Sequence, residues 1–526
     1  MAPPIVYYDY IIIGGGTSGC ALAATLTRAA NVLLLERGDL PYGNPDITNL
    51  RGFVASLSNT SPSSPSQLFV STDGVINHRP RVLGGGSALN AGFYTRASIA
   101  YVNRVGWDQK LVNESYEWVE NKVAFEPPMM QWQSAVKDGL VEAGVLPYNG
   151  FTYDHVPGTK WGGTIFDKGG HRHTAADLLE YADPTRIVVY LNATVNHILF
   201  KLQGQSRPRA YGVLFRDAKG NKHIAYLNRG SSSEIILSAG ALGSPQLLML
   251  SGVGPSEQLK AHNIGEVLDQ PMVGQGMADN PMNALVIPSS RPVEVSLIEV
   301  VGITPFGSFV EAASDSVEAF ISDALTAPKV FLDQRIPEAI AKVLNAFTNS
   351  TIFPVGIILE KIMGPLSSGH LELQTNDPND NPKVTFNYFQ DPQDLQRCVQ
   401  GMETIIKVIE SEPLSKFRYP LVPVQDLINL MLILPVNFRP RHVEATYSLE
   451  QFCIDTVMTI WHYHGGCQVG KVIDQDYRVL GVDALRVIDG STFYDSPGAN
   501  PQATVMMLGR YMGQKILAER FTDGKN

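Results

Sequence analysis

The stretch YYDYIIIGGGTSGCALAATLTRAANVLLLERG, residues 7–38, decides the fold. It contains Tyr10–Ile13, a short apolar run typical of a buried parallel strand. Three glycines spaced G-x-G-x-x-G follow at once, and then a segment of helical composition. A second apolar run, Val32–Leu35, ends at Glu36. The order of strand, glycine turn, helix, strand and acid is typical of a dinucleotide-binding unit in an α/β fold.

Each glycine of this unit has its own physical role. Gly14 permits the tight turn, Gly16 lets a pyrophosphate approach the backbone, and Gly19 lets helix and strand pack closely. The helix N-terminus offers N–H groups and a positive dipole to the phosphates. Glu36 can accept hydrogen bonds from a ribose. These residues predict a dinucleotide site, and NAD and FAD both remain open on this motif.

Composition limits the class of protein. The chain has 526 residues, of which 44% are hydrophobic and 17% charged, so it can form a sizeable core and two domains. Its formal net charge of -10, without a strong basic block, argues against a nucleic-acid partner. Apolar runs such as Leu430–Pro435 are far shorter than the roughly 18 residues that a membrane-spanning helix needs. We expect a monomer without a transmembrane segment.

Four glycosylation triplets bear on the compartment. They begin at Asn59, Asn113, Asn192 and Asn349. No secretory signal precedes the first strand, so we expect that the signal is absent from this chain. The four cysteines form no disulfide scaffold but allow one bridge. The sequence therefore favours a secreted protein or one in the lumen of the endomembrane system.

Two further glycine-rich segments lie in the middle of the chain. RVLGGGSALNAGFYTRA spans residues 81–97, and SEIILSAGALGSPQLLMLSGVG spans residues 233–254. In the second segment Ile235–Leu237 predicts a buried strand, and Ser244-Pro245 predicts a helix start, with proline at the first helical position. Each segment alone indicates only an α/β protein.

The stretch IWHYHGGCQVG, residues 460–470, holds two histidines that point to the same side if the segment is extended. A metal site would need Cys467 and a distant ligand, and no second cluster with zinc-like spacing is present, so we predict no metal. A structural role suits His464. Further on, Asn500 suits a helix N-cap and Pro501 the first helical turn, so Asn500 is expected at a helix N-terminus.

Together these segments resemble the glucose–methanol–choline (GMC) oxidoreductase family over essentially the whole chain. Residues 81–94 match its first signature, although Pro80 replaces a small residue, and residues 240–254 match its second. WHYHGGC and RVIDGSTFYDSPGANPQAT match its C-terminal active-site segments. The chain is most similar to the plant branch, the HOTHEAD-like proteins and mandelonitrile lyases. The resemblance implies a Rossmann-like FAD-binding domain and a substrate domain built on an antiparallel sheet with helices.

The resemblance also implies which residues bind FAD. Leu89 stands where members with covalent flavin carry histidine, so the FAD is expected to be non-covalent. The glycine motif and the matched positions together give the following cofactor-binding residues: Gly14, Gly16, Thr17, Ser18, Gly19, Glu36, Arg37, Val82, Gly86, Asn90, Ala91, Gly92, Phe93, Val195, Trp461, His462, Asp489, Gly490, Pro501 and Gln502.

The catalytic residues implied by the resemblance are His462, as base, and Asn500, as its partner. A neutral imidazole can take the hydroxyl proton of an alcohol, and the carbon then releases hydride to flavin N5. The expected reaction converts a primary alcohol, aromatic or long-chain, to the aldehyde; ω-hydroxy fatty acids are one class that HOTHEAD-like proteins are associated with. The electron acceptor, dioxygen or another, is left open.

Two other functions compete with alcohol oxidation. One is a hydroxynitrile (mandelonitrile) lyase with structural FAD, and the other is a catalytically silent flavoprotein. The lyases that the chain resembles carry histidine at the position of Asn500 and tyrosine at that of Ile460. Both departures favour oxidation over cyanohydrin cleavage.

The domain organisation is expected to be discontinuous. Residues 1–160, 190–285 and 455–526 are assigned to the FAD-binding domain, 286–454 to the substrate domain, and 161–189 to a connecting segment. In the substrate domain Val384–Phe389 predicts a strand. The segments 317–325 and 427–435 are expected to be core or an apolar pocket wall. Ser58–Gln67 is expected to be a surface loop, with a role as a lid left open, and the resemblance implies a Cys398–Cys453 disulfide.

Overall fold

The computed structural model describes residues 7–202, 206–230, 232–316, 354–498 and 500–523. A parallel sheet forms the first of its two main units. All its strands run in the same direction. The apolar side chains are buried on both faces except in the edge strand Ile187–Tyr190, where Val188 and Tyr190 are exposed. In spatial order its five strands are Ile187–Tyr190, Val32–Leu35, Tyr10–Ile13, Glu234–Leu237 and Leu485–Val487. The predicted Rossmann-like unit is therefore present.

Two helices pack against each other beside this sheet. Thr17–Leu26 follows the glycine turn, and the C-terminal helix Gln502–Asp523 packs against it. Their close approach depends on small residues, because a Cβ at Gly509 would lie 2.3 Å from Ser18 O and one at Gly513 would lie 2.7 Å from Thr25 Cγ2. The end of the chain is thus held against the nucleotide-binding turn.

A seven-stranded sheet forms the second unit. Its neighbours pair antiparallel except for the last two strands, which pair parallel. In spatial order the strands are Met458–Thr459, Pro281–Pro288, Pro354–Ile362, Ser308–Ser316, Val300–Ile303, Gly158–Trp161 and Tyr148–Phe151. The α/β fold class with a second, antiparallel unit is confirmed. The strands Tyr148–Phe151 and Gly158–Trp161 of this sheet come almost entirely from the segment 1–160, which was assigned to the FAD-binding domain. The domain boundaries stay a prediction.

Helices pack on this second sheet and close its core. The helices are Gln131–Glu142, Pro392–Glu410, Val424–Ile433 and Leu449–Thr456. Cys398 and Cys453 form a disulfide that joins the second helix to the fourth, as the resemblance implied. The segment 427–435 lies mostly in the third helix, whereas 317–325 lies outside the described residues.

The remaining elements connect and surround the two main sheets. An antiparallel meander of Thr194–Lys201, Arg209–Arg216 and Lys222–Leu227 extends to Tyr7–Tyr8. The smaller sheets comprise Ser66–Val70 with Ile76–Pro80, Phe93–Tyr94 with Gly163–Thr164, Val253–Gly254 with Leu268–Asp269, and the trio Gln275–Met277, Gly369–Glu372 and Lys383–Thr385. The other α-helices within the described residues are Pro45–Thr48, Phe53–Ser58, Ile99–Arg104, Gln109–Val123, Gly240–Leu250, Ser256–Ala261 and Glu412–Ser415.

Two sequence predictions are wrong in detail. The strand expected over Val384–Phe389 ends at Thr385, because Asn387 and Phe389 adopt φ of 58° and 62°, outside the extended region. The helix expected to start at Ser244-Pro245 begins at Gly240, where Asp489 Oδ2 accepts from the Gly240 N–H at 2.9 Å. A distant side chain thus caps that helix earlier than the local sequence indicates.

Across the ranges that the structure describes, none of the helices combines the length and the apolar character that crossing a membrane would require.

Candidate active site

A cavity of about 770 Å³ opens where the parallel strands end. Its lining includes residues that directly follow the strands Tyr10–Ile13, Val32–Leu35 and Glu234–Leu237. Of the predicted site residues, those that line it are Gly14, Gly16, Thr17, Ser18, Glu36, Arg37, Val82, Gly86, Asn90, Ala91, Gly92, Phe93, Val195, Trp461, His462, Asp489, Gly490, Asn500, Pro501 and Gln502. The structure therefore brings together residues from four distant parts of the chain.

Gly19 is the predicted residue that does not line the cavity, and its geometry explains why. A Cβ at Gly19 would lie 2.0 Å from Gly14 O, so its role is close packing of helix against turn. Gly14 has φ of 105°, and its Cβ would lie 2.4 Å from Ser238 O. A Cβ at Gly16 would instead meet nothing closer than 3.8 Å. The open side of the turn at Gly16 is thus a cradle that a phosphate group fits.

Three buried polar atoms at this end of the cavity have no hydrogen-bond partner among the described residues. They are Ser18 Oγ, Arg37 Nη1 and Arg79 Nη1. Ser18 lies in the first turn of its helix, where N–H groups and the dipole favour an anion. Buried polar groups are normally paired, so these atoms indicate a polar ligand. A pyrophosphate-containing dinucleotide such as FAD fits them.

Glu36 lies beside the cradle with both carboxylate oxygens engaged by backbone. Oε2 accepts from Gly15 N at 2.8 Å and Oε1 from Gly38 N at 2.7 Å. Burial raises the pKa of Glu36 above its usual value, while these N–H donors oppose the shift. Each oxygen retains a lone pair, so the carboxylate can still accept from a ribose hydroxyl.

The glycine-rich segment after Arg81 is tied to the C-terminal helix. Asn90 Nδ2 donates to Gln502 Oε1 at 2.9 Å, and Gln502 Nε2 donates to Phe93 O at 2.6 Å. Arg172, fully buried, donates through Nη1 to Asn90 O and Oδ1. These bonds fix two cavity-lining segments relative to each other.

Asp489, which also lines the cavity, likewise joins two segments. Its Oδ2 accepts from Ser244 Oγ at 2.5 Å, and its Oδ1 accepts from Ser491 N at 2.8 Å. Burial raises the pKa of Asp489 above its usual value, and these donors oppose the shift. The side chain therefore joins the helix Gly240–Leu250 to the turn at Gly490.

The backbone around His462 is anchored by Asp279. Asp279 Oδ1 accepts from His462 N at 3.0 Å, and Oδ2 accepts from Tyr388 Oη at 2.5 Å and from Thr459 Oγ1 at 2.6 Å. Burial raises the pKa of Asp279 to about 6. Trp461, just before His462, adopts a positive φ of 59°. This strained turn and its buried carboxyl group aim the His462 side chain.

The His462 ring is buried and opens onto the cavity. Its Nδ1 lies 3.4 Å from Asn280 Nδ2, so Nε2 is the ring nitrogen left for a ligand. Burial, and secondly the positive charge of Lys361, lower the pKa of His462 well below its ordinary value. The imidazole is thus held in its neutral form, which a base requires.

Asn500 lies just before the C-terminal helix, as predicted, but its side-chain oxygen binds a lysine instead of acting as the expected N-cap. The helix begins at Gln502, and Asn500 Oδ1 accepts from Lys361 Nζ at 2.7 Å. Lys361 Nζ also donates to Glu311 Oε1 at 2.6 Å. A charged donor binds an amide oxygen more strongly than a backbone N–H does, which explains the choice of partner.

His464 has a different environment from His462. Its Nδ1 donates to His462 O at 3.0 Å, and its backbone pairs with Ala278 in both directions. It does not belong to the cavity lining. Within the described ranges, no three His, Cys, Asp or Glu side chains are arranged to hold a metal ion. The geometry supports a structural role for His464.

The part of the cavity beyond the predicted cofactor residues has mainly apolar walls, and Glu311, Ser314 and Asp315 are polar members of its lining. The apolar side chains are Met282, Val286, Leu297, Val355, Ile357, Leu359, Pro435 and Ile460. Ser58 and Thr60, at the start of the Ser58–Gln67 loop, also line it. The loop residues 59–63 are exposed, as expected of a surface loop.

Sequence reasoning missed several polar residues of the site. Arg79, Arg172, Asp279, Asn280 and Lys361 belong to no local motif that was identified. For Lys361 a signal exists, since a charged residue within the apolar run VGIILEKIM is expensive to bury and therefore notable. The others carry no comparable signal in the sequence.

Comparisons with known proteins show the family to which the chain belongs. A family model described as GMC oxidoreductase matches residues 8–282, and a second of the same description matches residues 365–509. The chain is 52% identical to Protein HOTHEAD of Arabidopsis thaliana, with 98% of this chain and 88% of that protein covered. It is 48% identical to an (R)-mandelonitrile lyase-like protein of the same plant, with 98% and 90% covered.

Two other similarities extend the comparison. Sinalpyl alcohol oxidase Nec3 of Nesocodon mauritianus is 41% identical, with 99% of this chain and 90% of that protein covered. The crystal structure of a formate oxidase superposes with a TM-score of 0.77 at 18% identity, over 98% of this chain and 99% of that one, which shows the shared fold. This chain belongs to the GMC oxidoreductase family and is an FAD-dependent oxidoreductase.

Proposed function

We propose that the protein oxidises a primary alcohol, aromatic or long-chain, to the aldehyde, with His462 as base and Asn500 as hydrogen-bond donor. The observation that carries the proposal is the pairing of two groups in one cavity. A neutral imidazole and a carboxamide, whose oxygen is already held by Lys361, open onto the space that the FAD-binding residues also line. A base and a donor are the two groups that alcohol oxidation requires.

The protein side chains divide the work between proton and oxygen. His462 Nε2 takes the hydroxyl proton, since the lowered pKa of His462 leaves the imidazole neutral and free to accept one. Asn500 Nδ2 donates to the oxygen as it gains negative charge. When bound in the cavity, FAD supplies the two-electron acceptor for the hydride that the carbinol carbon loses. The alcohol thus loses one proton and one hydride and becomes the aldehyde.

The apolar walls of the cavity support an apolar alcohol. Met282, Ile357, Leu359 and Ile460 surround the space near His462, and none of them can hydrogen-bond a polar substrate tail. An aromatic alcohol or the chain of an ω-hydroxy fatty acid has the apolar surface to match. Sinalpyl alcohol oxidase, a relative at 41% identity, is named for an alcohol substrate, which also supports this class.

The predicted cofactor residues are proposed to hold FAD without a covalent bond. Ser18, Arg37 and the cradle at Gly16 suit the phosphates, and Glu36 suits a ribose. Leu89 is buried, lines the cavity and offers no nucleophile at the position where covalent members carry histidine. Acid precipitation of the purified protein releases yellow FAD into the supernatant if this is correct. Colour retained in the pellet refutes it.

We also propose a secretory location, which two features support. Asn59 and Asn113 are exposed, whereas Asn192 is half-buried and Asn349 lies outside the described residues. The Cys398–Cys453 bridge is of a type that persists in oxidising compartments. The protein is also proposed to act as a monomer. Dioxygen is the first electron acceptor to test, and the Ser58–Gln67 loop is proposed to act as a lid over the cavity.

A hydroxynitrile lyase is the second candidate, because the chain is 48% identical to an (R)-mandelonitrile lyase-like protein. One experiment separates the two functions. The protein is mixed anaerobically with a panel of aromatic and long-chain primary alcohols, and separately with mandelonitrile. Bleaching of the flavin by an alcohol supports oxidation. Cyanide release from mandelonitrile, with no bleaching by any alcohol, assigns the lyase function instead.

A further inference from the structure

A lysine and a glutamate with no exposed side-chain surface form an ion pair beside Asn500. Lys361 Nζ lies 2.6 Å from Glu311 Oε1, and the two residues sit on the neighbouring strands Pro354–Ile362 and Ser308–Ser316. Taking two charges out of water is costly, and a buried pair is often no more stabilising than apolar residues of the same volume. Stability alone therefore gives a weak reason for this pair.

The same ammonium binds a residue of the proposed reaction. Lys361 Nζ donates to Asn500 Oδ1 at 2.7 Å. An ammonium group only donates hydrogen bonds, so the oxygen end of the Asn500 amide must face Lys361. The Nδ2 end consequently faces away from it, and Asn500 lines the cavity. Without Lys361 nothing among the described contacts of Asn500 would decide which end of its amide is presented.

We propose that Lys361, held in place by Glu311, is a positioning residue that orients the Asn500 amide so that Nδ2 donates to the substrate oxygen. The inference rests on the proposed alcohol oxidation and adds the device that selects the donor end of Asn500. Glu311 fixes the ammonium, since Lys361 otherwise has four rotatable bonds. The pair thus converts an amide that can turn either way into a directed donor.

The chain offers a matched control for the loss of a buried lysine. Lys160 is fully buried, and its Nζ donates to Thr95 Oγ1 at 2.9 Å and to Asp154 O at 2.6 Å. Lys160 is not among the described residues that line the cavity. Lys160→Met therefore removes a buried ammonium without touching Asn500.

A double-mutant cycle tests the proposal. Flavin reduction by the best alcohol is measured at saturating substrate in the parent, Lys361→Met, Asn500→Ala and the double variant. We expect Lys361→Met to slow the limiting rate roughly 10- to 100-fold in the parent, a loss somewhat below that of a whole oxyanion donor. In the Asn500→Ala background the same change is expected to matter less than about twofold when the rates are compared at about pH 8, where His462 is neutral with or without Lys361. Equal slowing in both backgrounds overturns the proposal.

Two further variants guard against misfolding. The variant that combines Lys361→Met with Glu311→Leu leaves no unpaired buried carboxylate, so we expect it to fold even if Lys361→Met alone does not. Its slowing of flavin reduction should depend on Asn500 in the same way. Lys160→Met should reduce flavin at close to the parental rate. FAD absorbance per protein is measured for each variant. A slow Lys160→Met with normal FAD content would mean that buried lysines act generally, against a specific role.

A binding readout separates this proposal from the proposed function. Benzaldehyde, whose carbonyl oxygen accepts a hydrogen bond, is titrated into each oxidised holoprotein and followed by the flavin absorption spectrum. We expect Lys361→Met and Asn500→Ala each to weaken its binding roughly 2- to 10-fold, and the double variant to be no weaker. If no alcohol reduces the parent, alcohol oxidation fails, and this cycle still decides the role of Lys361. Additive losses overturn it.

Discussion

His462 Nδ1 faces the side-chain amide of Asn280, with 3.4 Å between the ring nitrogen and Asn280 Nδ2. For His462 Nε2 to act as a base, the ring proton must lie on Nδ1. The oxygen of the Asn280 amide is the end that could accept a hydrogen bond from this Nδ1–H. Asn280 Oδ1 has no partner among the described residues. Turning the amide by 180° would place Oδ1 against Nδ1, so Asn280 is suited to select the tautomer of His462.

Asn280→Leu is therefore expected to slow flavin reduction roughly 10- to 100-fold, the usual effect of losing a partner that orients a functional histidine. Asn280→Asp keeps an acceptor for Nδ1 and is expected to reduce flavin faster than the leucine variant. Its added negative charge favours the imidazolium, so the pKa of His462 should rise. Stopped-flow reduction against pH measures both effects. A leucine variant as fast as the parent would remove Asn280 from the mechanism.

His462→Ala tests the base itself. The substitution should slow flavin reduction by roughly 10²- to 10⁴-fold, the usual contribution of a positioned base. FAD should remain bound, because the cradle at Gly14–Gly19 and Arg37 do not depend on the imidazole. Anaerobic stopped-flow kinetics give the rate, and the visible spectrum gives the FAD content. Reduction at the parental rate would show that His462 is not the base.

The pH profile follows from the environment of His462. Burial and the nearby Lys361 lower its pKa well below 6.5. The base is therefore neutral from about pH 6.5 upward, and the second-order constant for flavin reduction should be flat there and fall only in acid. The free energy of unfolding should also fall in acid. Above about pH 6.5 His462 is neutral in both the folded and the unfolded chain, and below it the unfolded chain binds the proton first, which favours unfolding.

Lys361→Met provides the matching comparison, because it removes one cause of the lowered pKa. The acid limb of its profile should move toward higher pH, whereas Lys160→Met should leave the limb in place. A parental profile that rises through a pKa above about 7 would contradict a neutral His462.

The nucleotide end of the site was predictable because its residues are contiguous in the sequence. Strand, glycine turn and Glu36 lie within residues 7–38, and their order follows from backbone sterics and the needs of a phosphate. Gly19 shows the same logic, since its packing against Gly14 is local. A resemblance to a known family then supplied His462 and Asn500, which spacing alone could not have assigned.

The rest of the site depends on tertiary contacts between distant segments. Asn500 suited an N-cap by local rules, but Lys361, 139 positions earlier, binds its oxygen more strongly. The helix expected at Ser244 begins at Gly240 because Asp489, 249 positions away, caps it. Long-range electrostatic partners of this kind override local propensity, and a single sequence does not reveal them.

The Cys398–Cys453 bridge should contribute to stability. It closes a loop with a sequence separation of 55, for which the loss of denatured-state entropy predicts about 2–4 kcal/mol of stabilisation. Replacing both cysteines by alanine should lower the urea midpoint, and a reductant should lower that of the parent but not of the variant. Thiol labelling of the unreduced, denatured parent should find two thiols, those of Cys20 and Cys467. Four labelled thiols would disprove the bridge.

Asn500 and Ile460 should determine whether this site oxidises or cleaves. The lyases that the chain resembles carry histidine and tyrosine at these two positions. Both residues line the cavity, and Ile460 packs against Met282 and Leu359 in an apolar cluster. Asn500→His with Ile460→Tyr would add a second imidazole and a phenol, groups that can hold the hydroxyl and cyanide of a cyanohydrin.

In that double variant Lys361 should donate to the new imidazole and keep it neutral, since an ammonium only donates. We expect cyanide release from mandelonitrile to rise at least about tenfold over the parent, while flavin reduction by alcohols persists because His462 is unchanged. Cyanide assay and anaerobic bleaching are run on the same preparations. Ile460→Phe serves as control, because it adds an aromatic ring without a hydroxyl. If the parent already cleaves mandelonitrile as fast as the variant, Asn500 does not separate the two activities.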